Sequence, residues 1–362
     1  MSEQKALQVV RQEIDAVDEK IQALLNERTA LAHQVAEIKQ SVGDQSDFYR
    51  PEREAMILRN VMARNAGPLS NTEMARLFRE IMSACLAAEK PLRIAYLGPE
   101  GSFTQAAALK HFGGSVQLQT MRTIADVFHS VETGQACYGV VPVENSTEGM
   151  VSHTLDRFVS SSLKINGEVT LRIHHYLLSN APQLSDINKI YAHPQALAQC
   201  RHWLTENLPD AEQIPVNSNA EAAKRVAKEQ GNCAAIAGNR AAEIYQLNIL
   251  ANNIEDEVGN TTRFLVIGSQ DVGPSGEDKT ALLVSTKNKP GALQNLLQPL
   301  AESGISMSRI ESRPSRKGIW EYVFFIDIDG HSQDSAVATA LKKLESESSM
   351  FRVLGSYPKA VL

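Results

Sequence analysis

The sequence predicts a multidomain chain: an all-α segment first, then an α/β domain, then a small α+β domain. Residues 5 to about 90 show helical periodicity only. From Arg93, short apolar strands alternate with Gly-rich turns and helices, as in "RIAYLG", "YGVVPVEN" and "CAAIAGNRAAEIY". Beyond a polar linker the elements run βαββαβ. At 362 residues the chain exceeds one ordinary core, and 43% hydrophobic with 22% charged residues is the balance of a folded protein. Lys90-Pro91 stops the last helix of the first segment, and "SQDVGPSGEDK" is a linker by its Gly, Pro and charge content. The expected domains are therefore residues 1–91, 92–270 and 279–362.

A net charge of −6, with no excess of Lys and Arg, argues against a nucleic-acid partner. The start, "MSEQKALQVVRQEID", lacks the apolar core of a signal peptide, and no run approaches membrane-spanning length, so a cytoplasmic protein without a membrane partner is expected. Cys85, Cys137, Cys200 and Cys233 are scattered without CxxC spacing, which suggests free thiols and neither a disulfide framework nor a zinc site.

In the first helix the apolar stripe runs Ile14, Val17, Ile21, Leu24, Leu31, Val35, Ile38, and Arg28 occupies a stripe position. Lys39 lies eleven residues on, within about 20° of Arg28 around the helix. Two cations on one side are costly to bury unless anions pair with them, which points to a ligand bearing carboxylates. The plainer alternative pairs Arg28 with a neighbouring Glu and lets Lys39 snorkel. Uninterrupted from Lys5 to Gln40, the helix spans on the order of 50 Å, and a second chain is expected to cover it. The last helix of the segment carries Met74, Leu77, Phe78, Ile81 and Cys85 on its apolar side, then Glu89 at the next i+4 step.

Arg11, Arg28, Lys39, Arg53-Glu54 and the "FREIMSACLAAE" ending resemble the all-helical chorismate mutases. The resemblance implies an intertwined helical dimer in which Arg11 crosses into the partner's site. It also implies a pericyclic rearrangement of chorismate to prephenate that needs neither nucleophile nor cofactor. Arg11, Arg28 and Arg53 would hold carboxylates, Lys39 would also donate to the ether oxygen, and Glu54 would take the substrate hydroxyl. Arg50 falls where an Asp is usual, Cys85 where a Ser is usual, and Glu89 where a Gln donates to the ether oxygen; the loop after Lys39 is about two residues longer. An ionised Glu89 would repel that oxygen, so mutase activity is expected to fall as pH rises through its titration.

In the second segment "YLGPEGSFTQAA" reads as strand, Gly-rich turn and helix, with Ser102 or Thr104 as N-cap. It serves equally as an anion cradle or as plain helix initiation. "VPVENSTEGMV" ends an apolar strand in Glu144, Asn145, Ser146 and Thr147, the kind of cluster that lines clefts in α/β folds. "YAHPQALAQC" and "NSNAEAA" add His193, Gln195, Ser218 and Asn219 at further strand-to-helix junctions, while His174-His175 reads as a simple strand pair. "GNTTRFLVIG" ties two hydroxyls and a fixed cation onto a buried-looking strand.

Together these motifs resemble prephenate dehydratase, which implies a two-lobed, periplasmic-binding-protein-like fold with its site in the interlobe cleft. The family's essential threonine maps onto Thr262. Arg263 suits a substrate carboxylate bidentately, and Phe264 completes the motif beside the substrate. Prephenate loses CO2 and its ring hydroxyl to give phenylpyruvate, so the site must protonate a poor leaving group. Thr262 is one candidate donor; Glu144, protonated in a dry cleft, is the other.

In the third segment "KPGALQNLL" places Gly291, Ala292 and Leu293 at a strand-to-helix turn, and "RIESRPSR" places Glu311, Ser312, Arg313 and Pro314 at a strand end. Paired, they resemble the phenylalanine-binding motifs of an ACT regulatory domain. That implies a ferredoxin-like fold, L-phenylalanine bound between domains of neighbouring subunits, and feedback inhibition through two states of different affinity. The resemblance covers the whole chain in the order of the bifunctional chorismate mutase/prephenate dehydratases, as a homodimer or dimer of dimers. Two other readings stand beside it: a dehydratase whose helical segment survives as a dimerisation arm, and a bilobed module that only senses a ligand.

Overall fold

A computed structural model describes residues 3–41, 49–229, 231–286, 289–314 and 322–362, with the side chains of residues 3, 5, 39 and 40 outside that description. Gly43 to Ser46, where polar residues predict a turn, and Trp320, which opens a strand of period-two alternation with Tyr322, Phe324 and Ile326, thus lie outside the described residues. The first segment is three helices, α1 (Glu3–Ser41), α2 (Pro51–Ala63) and α3 (Asn71–Glu89). Pro51 begins α2, where its missing N–H costs nothing, and Ser70 caps α3 by accepting from the Glu73 amide at 3.1 Å. At 39 residues, α1 extends about 58 Å. It packs on α3, yet its own chain leaves the stripe bare: Ile14, Val17, Ile21, Leu24, Leu31, Val35 and Ile38 are 49–63% exposed.

The α/β domain begins with β1 (Arg93–Leu97), α4 (Phe103–Phe112), β2 (Gln117–Met121), α5 (Ile124–Glu132), β3 (Tyr138–Asn145), β4 (Gly149–Met150), α6 (Ser152–Ser160) and β5 (Lys164–Arg172). A second lobe follows: β6 (Tyr176–Ser179), β7 (Lys189–Ala192), α7 (Pro194–Gln199), α8 (Arg201–Asn207), β8 (Glu212–Pro215), α9 (Asn219–Lys228), β9 (Cys233–Ala237), α10 (Asn239–Tyr245) and β10 (Asn248–Ala251). The chain then returns to the first sheet as β11 (Thr261–Gly268). The sheets run β2-β1-β3-β11-β5, with β4 paired to β3, and β10-β6-β9-β7-β8. Residues 173–175 and 252–260 are the two crossings between lobes. The Ile173 amide bonds Asn260 O at 2.8 Å and the Ile254 amide bonds His175 O at 2.9 Å, so the crossings support each other.

The ladder between antiparallel β11 and β3 is irregular. It pairs Thr262 with Asn145 and Arg263 with Glu144, then Phe264 with Pro142, leaving Val143 as an extra residue. Such a bulge re-aims every side chain beyond it. Val141 and Val143 belong to one apolar cluster, and a regular strand would point Asn145 to that same face. The extra residue turns Asn145 to the face of Thr262 and Glu144 to the face of Arg263.

The last segment is β12 (Asp278–Thr286), α11 (Ala292–Glu302), β13 (Met307–Pro314), β14 (Tyr322–Asp329), α12 (Ser335–Glu347) and β15 (Met350–Pro358), in the sheet order β13-β14-β12-β15. Its sheet does not stand apart. Ala281, Leu283, Phe325 and Leu354 share one core with Val141, Leu155, Ile165 and Leu265 of the first lobe. Gly355 makes this possible, because a Cβ there would collide with the Ile165 backbone of β5. The helical segment is tied in too: Tyr49 inserts among Phe112 and Tyr138, and Arg59 donates to Ser275 O and Glu277 O at 3.0 and 2.9 Å.

Among the described residues all four cysteines are unpaired, and no helix is long and apolar enough to cross a membrane.

Candidate active sites

Thr262 lies at the start of β11, beside the end of β3. Asn145 organises the centre. Its Oδ1 accepts the backbone amides of Thr147 and Glu148, both at 3.0 Å, which settles which end of the amide is oxygen. Both N–H groups of its Nδ2 are then donated, to Asn260 Oδ1 at 2.7 Å and Thr262 Oγ1 at 2.8 Å. Thr262 therefore accepts from Asn145, and among the described residues no acceptor takes the Thr262 hydrogen. A hydroxyl polarised at its oxygen with its proton free is arranged to donate. Ser146 clamps the strand start, accepting from the Thr261 amide at 2.9 Å.

The flanking residues act mostly through backbone. Ser102 caps α4, accepting from Gln105 N at 3.3 Å and donating to Leu97 O at 3.0 Å, so Ser102 rather than the buried Thr104 is the cap. The Gly-rich turn is partly self-satisfied: Gly101 N donates to Gln105 Oε1 at 2.7 Å. In the second lobe Gln195 lies in the first turn of α7, whose cap is His193, and Ser218 caps α9 at 3.1 Å from Glu221 N. Asn219 Oδ1 accepts the His193 amide at 2.9 Å and joins the two helix starts.

Three expectations for the cleft are corrected. Arg263 does not face a substrate carboxylate. Adjacent strand residues point to opposite faces, so with Thr262 in the cleft Arg263 points away. Its donors are engaged by Glu168 Oε2 at 2.8 Å, Asp327 Oδ2 at 2.6 Å and Tyr357 Oη at 2.9 Å. Lys279 Nζ adds a second cation to Glu168 at 2.9 Å. Phe264 is 2% exposed, packed with Tyr138, Val140 and Val169, and so anchors the strand rather than touching substrate. Glu144 is turned by the bulge to Arg263's side, where Arg309 approaches it at 3.9 Å while also meeting Asp327 at 3.5 Å. The rival proton donor is thereby removed from the Thr262 face.

In the helical segment α1 and α3 bring Arg28 and Cys85 to one level: Thr29 Oγ1 lies 3.3 Å from Cys85 Sγ. Arg28 is half-buried, Cys85 buried, and Glu89 sits half-buried one turn further along α3. Arg50 is half-buried ahead of α2, Arg53 is exposed, and the Lys39 side chain lies outside the described residues. Arg11 is exposed and about 25 Å from Arg28 along the helix, too far for both to hold one small ligand within a single chain.

Glu54, expected at a substrate hydroxyl, is engaged within the chain. Its Oε1 pairs with Arg79 Nε at 3.3 Å, and Arg79 also donates to Lys110 O of α4 at 2.7 Å, so this carboxyl sits where helices meet the α/β domain. Burial, only partly offset by Arg79, raises its pKa from 4.5 to about 7. Below pH 4.5 the group is protonated folded or unfolded. Between 4.5 and about 7 the folded state keeps a proton the unfolded chain releases, so stability falls through that window and levels above it. Glu54→Gln removes the titration. Comparing denaturant midpoints of the two proteins from pH 4.5 to 8 should show the variant gaining up to ~3 kcal/mol relative to wild type. A constant difference across that range would exclude the effect.

The ACT-type motifs split across faces. Gly291 caps α11 in the left-handed region with φ +76°, Ala292 is buried behind it, and Leu293 is 38% exposed. Along β13, Ser312 and Pro314 are exposed while Glu311 and Arg313 point inward. Arg313 is held by Ser152 Oγ at 2.6 Å and Asp156 Oδ1 at 3.0 Å of α6, so it fastens this domain to the first lobe instead of reaching a ligand beside Ser312.

Family models match in the same order: chorismate mutase type II over residues 10–90, prephenate dehydratase over 94–272 and ACT domain over 280–346. The bifunctional chorismate mutase/prephenate dehydratase of Stutzerimonas stutzeri is 56% identical, and that of Pseudomonas aeruginosa 54%, each over 100% of both chains. The chain belongs to this bifunctional family. Among solved structures, a prephenate dehydratase from Arthrobacter aurescens in complex with L-Phe matches with TM-score 0.69 and 36% identity, over 74% of this chain and 90% of that one.

As a bifunctional chorismate mutase/prephenate dehydratase, the chain rearranges chorismate to prephenate, then dehydrates and decarboxylates prephenate to phenylpyruvate. Full-length agreement with bifunctional relatives does not favour a helical segment kept only as a dimerisation arm. Two polar residues of this network, Asn260 and Gln199, are given no role of their own by the sequence. Asn260 Nδ2 donates to Gln199 Oε1 at 3.2 Å. The Asn immediately before the Thr-Thr pair is a readable signal; Gln199, at the far end of a six-residue helix, has none.

Proposed function

We propose that prephenate binds between the lobes against Thr262, whose hydroxyl donates a hydrogen bond to the departing ring hydroxyl as CO2 leaves. One observation carries this reading: Asn145 occupies the Thr262 oxygen as a donor and leaves the hydroxyl hydrogen for another acceptor. A threonine is a weak acid, so its role is a strong hydrogen bond that grows as charge develops on the leaving oxygen. Ser102, Gln195 and Ser218, at helix starts around the groove, supply polar groups and free amide ends for the substrate carboxylates.

For the mutase step, Arg28, Lys39, Cys85 and Glu89 form one half of a pocket that a second copy completes with its Arg11. The bare apolar stripe of α1 and the span between Arg11 and Arg28 support this homodimer. The outer face near Gly291, Leu293 and Ser312 is where L-phenylalanine binds and lowers dehydratase activity, in the cytoplasm. The test is phenylpyruvate formation from chorismate by the purified protein, with and without L-phenylalanine. Turnover that the amino acid suppresses is expected; prephenate accumulating without phenylpyruvate, or a rate indifferent to L-phenylalanine, would defeat the corresponding half of the reading.

A further inference from the structure

His175 is not among the residues assigned to substrate, yet it is 2% exposed at the junction of the two lobes. Three elements meet on it. Its ring packs edge-on against Phe103 of the first lobe, with centroids 5.9 Å apart. Its amide donates to Glu255 Oε2 at 2.9 Å, and its carbonyl accepts from Ile254 N, both on the other interlobe crossing. The neighbouring His174 Nδ1 lies 2.7 Å from Glu255 Oε1, which fastens that carboxylate. Finally, His175 Nε2 lies 2.8 Å from Gln199 Oε1 on the second lobe.

The donor and acceptor roles along this path are fixed from one end. Asn145 Oδ1 accepts two backbone amides, so Asn145 donates to Asn260 Oδ1. Asn260 must then donate to Gln199 Oε1, which makes that oxygen an acceptor. His175 is left one role: its Nε2 carries the hydrogen and donates. Burial also pushes its pKa down, which keeps the ring neutral. With its oxygen held by two donors, Gln199 keeps its own buried Nε2 without a partner among the described residues.

We propose that His175 is a positioning residue of the dehydratase site, whose Nε2–H locks Gln199 and, through Asn260, fixes the placement of the Asn145 amide against the Thr262 hydroxyl. The path begins on the hinge and ends on the reacting group, so the same hydrogen bond that joins the lobes also arms Thr262. Loss of the imidazole donor frees the Gln199 amide to flip. Asn260 then meets either an oxygen or an N–H, its grip on the Asn145 Nδ2 loosens, and the placement of that amide beside Thr262 relaxes.

The inference rests on Thr262 being the reacting hydroxyl, and the experiment separates the two. Dehydratase kcat and KM are measured for His175→Leu, His175→Asn and His175→Gln, with mutase turnover of each as the control for an intact chain. Gln can set an N–H near the position of Nε2, whereas Leu lacks a donor and Asn falls short of it. Expected is a roughly 10–100-fold loss of dehydratase kcat in the Leu and Asn variants, comparable to other supporting-partner losses, with most of it recovered in Gln. The Asn variant, polar and small, keeps the test open where Leu does not fold. Equal losses in Asn and Gln, or an effect on KM alone, would overturn the proposal. Combining His175→Leu with Thr262→Val distinguishes the layers: the histidine effect should vanish once the hydroxyl is gone. If it persists in full, the relay is wrong while the role of Thr262 stands; wild-type turnover in Thr262→Val alone removes both.

Discussion

Thr262→Val is expected to lower dehydratase kcat by about 10²–10⁴-fold, the range for removal of a positioned proton donor, and to leave mutase turnover unchanged. Valine keeps the β-branched shape of threonine, so β11 and its pairing with β3 and β5 persist. What is lost is the hydroxyl that Asn145 polarises at 2.8 Å. KM should move little, because the bond is strongest only as the leaving oxygen gathers charge. Coupled assays on chorismate and on prephenate read the two activities in one preparation. A dehydratase rate within twofold of wild type would rule the hydroxyl out of the chemistry.

Arg263→Leu is the second large effect, and it separates two readings of the same motif. The guanidinium bridges Glu168, Asp327 and Tyr357, and the two carboxylate side chains are only 4% and 6% exposed. Removing the cation leaves Glu168 with Lys279 alone and Asp327 with the more distant Arg309, so a loss of up to about 3–5 kcal/mol is expected. It should appear as a lowered unfolding midpoint that involves the α/β and C-terminal domains together, since Asp327 lies on β14 and Glu168 on β5. Arg263→Lys should recover little, because one ammonium cannot serve three separated acceptors. If Arg263 held substrate instead, KM would rise with the unfolding midpoint unchanged. Calorimetry beside steady-state kinetics decides between the two outcomes.

Thr262, Arg263 and Phe264 mark how far the sequence can be read. All three are legible as one functional motif at the mouth of a covered strand. Which of them meets substrate is not, because three consecutive strand residues divide among the cleft, the neighbouring domain and the core. Glu144 and Asn145 divide for the same reason, with the bulge at Val143 choosing which faces Thr262. Nothing in "VPVEN" marks an extra residue, because a bulge is a relation between two strands and has no local spelling. Gln199 and His175 are likewise invisible: their importance comes from a hydrogen bond across the lobe junction, between positions 24 residues apart in the chain.

Local chemistry let the sequence alone settle the three architectures, their order, the long first helix with its apolar stripe interrupted by Arg28, and the polar clusters at strand ends. Those signals are periodicity, caps and turns, each written within a few residues. Only the folded chain decided that Arg263 and Arg313 serve as fasteners to neighbouring elements, that Glu54 pairs with Arg79, and that Asn145 frees the Thr262 proton. Each of these depends on which charged or polar group another element brings within hydrogen-bonding reach, and a distance of that kind is set by packing of the whole core.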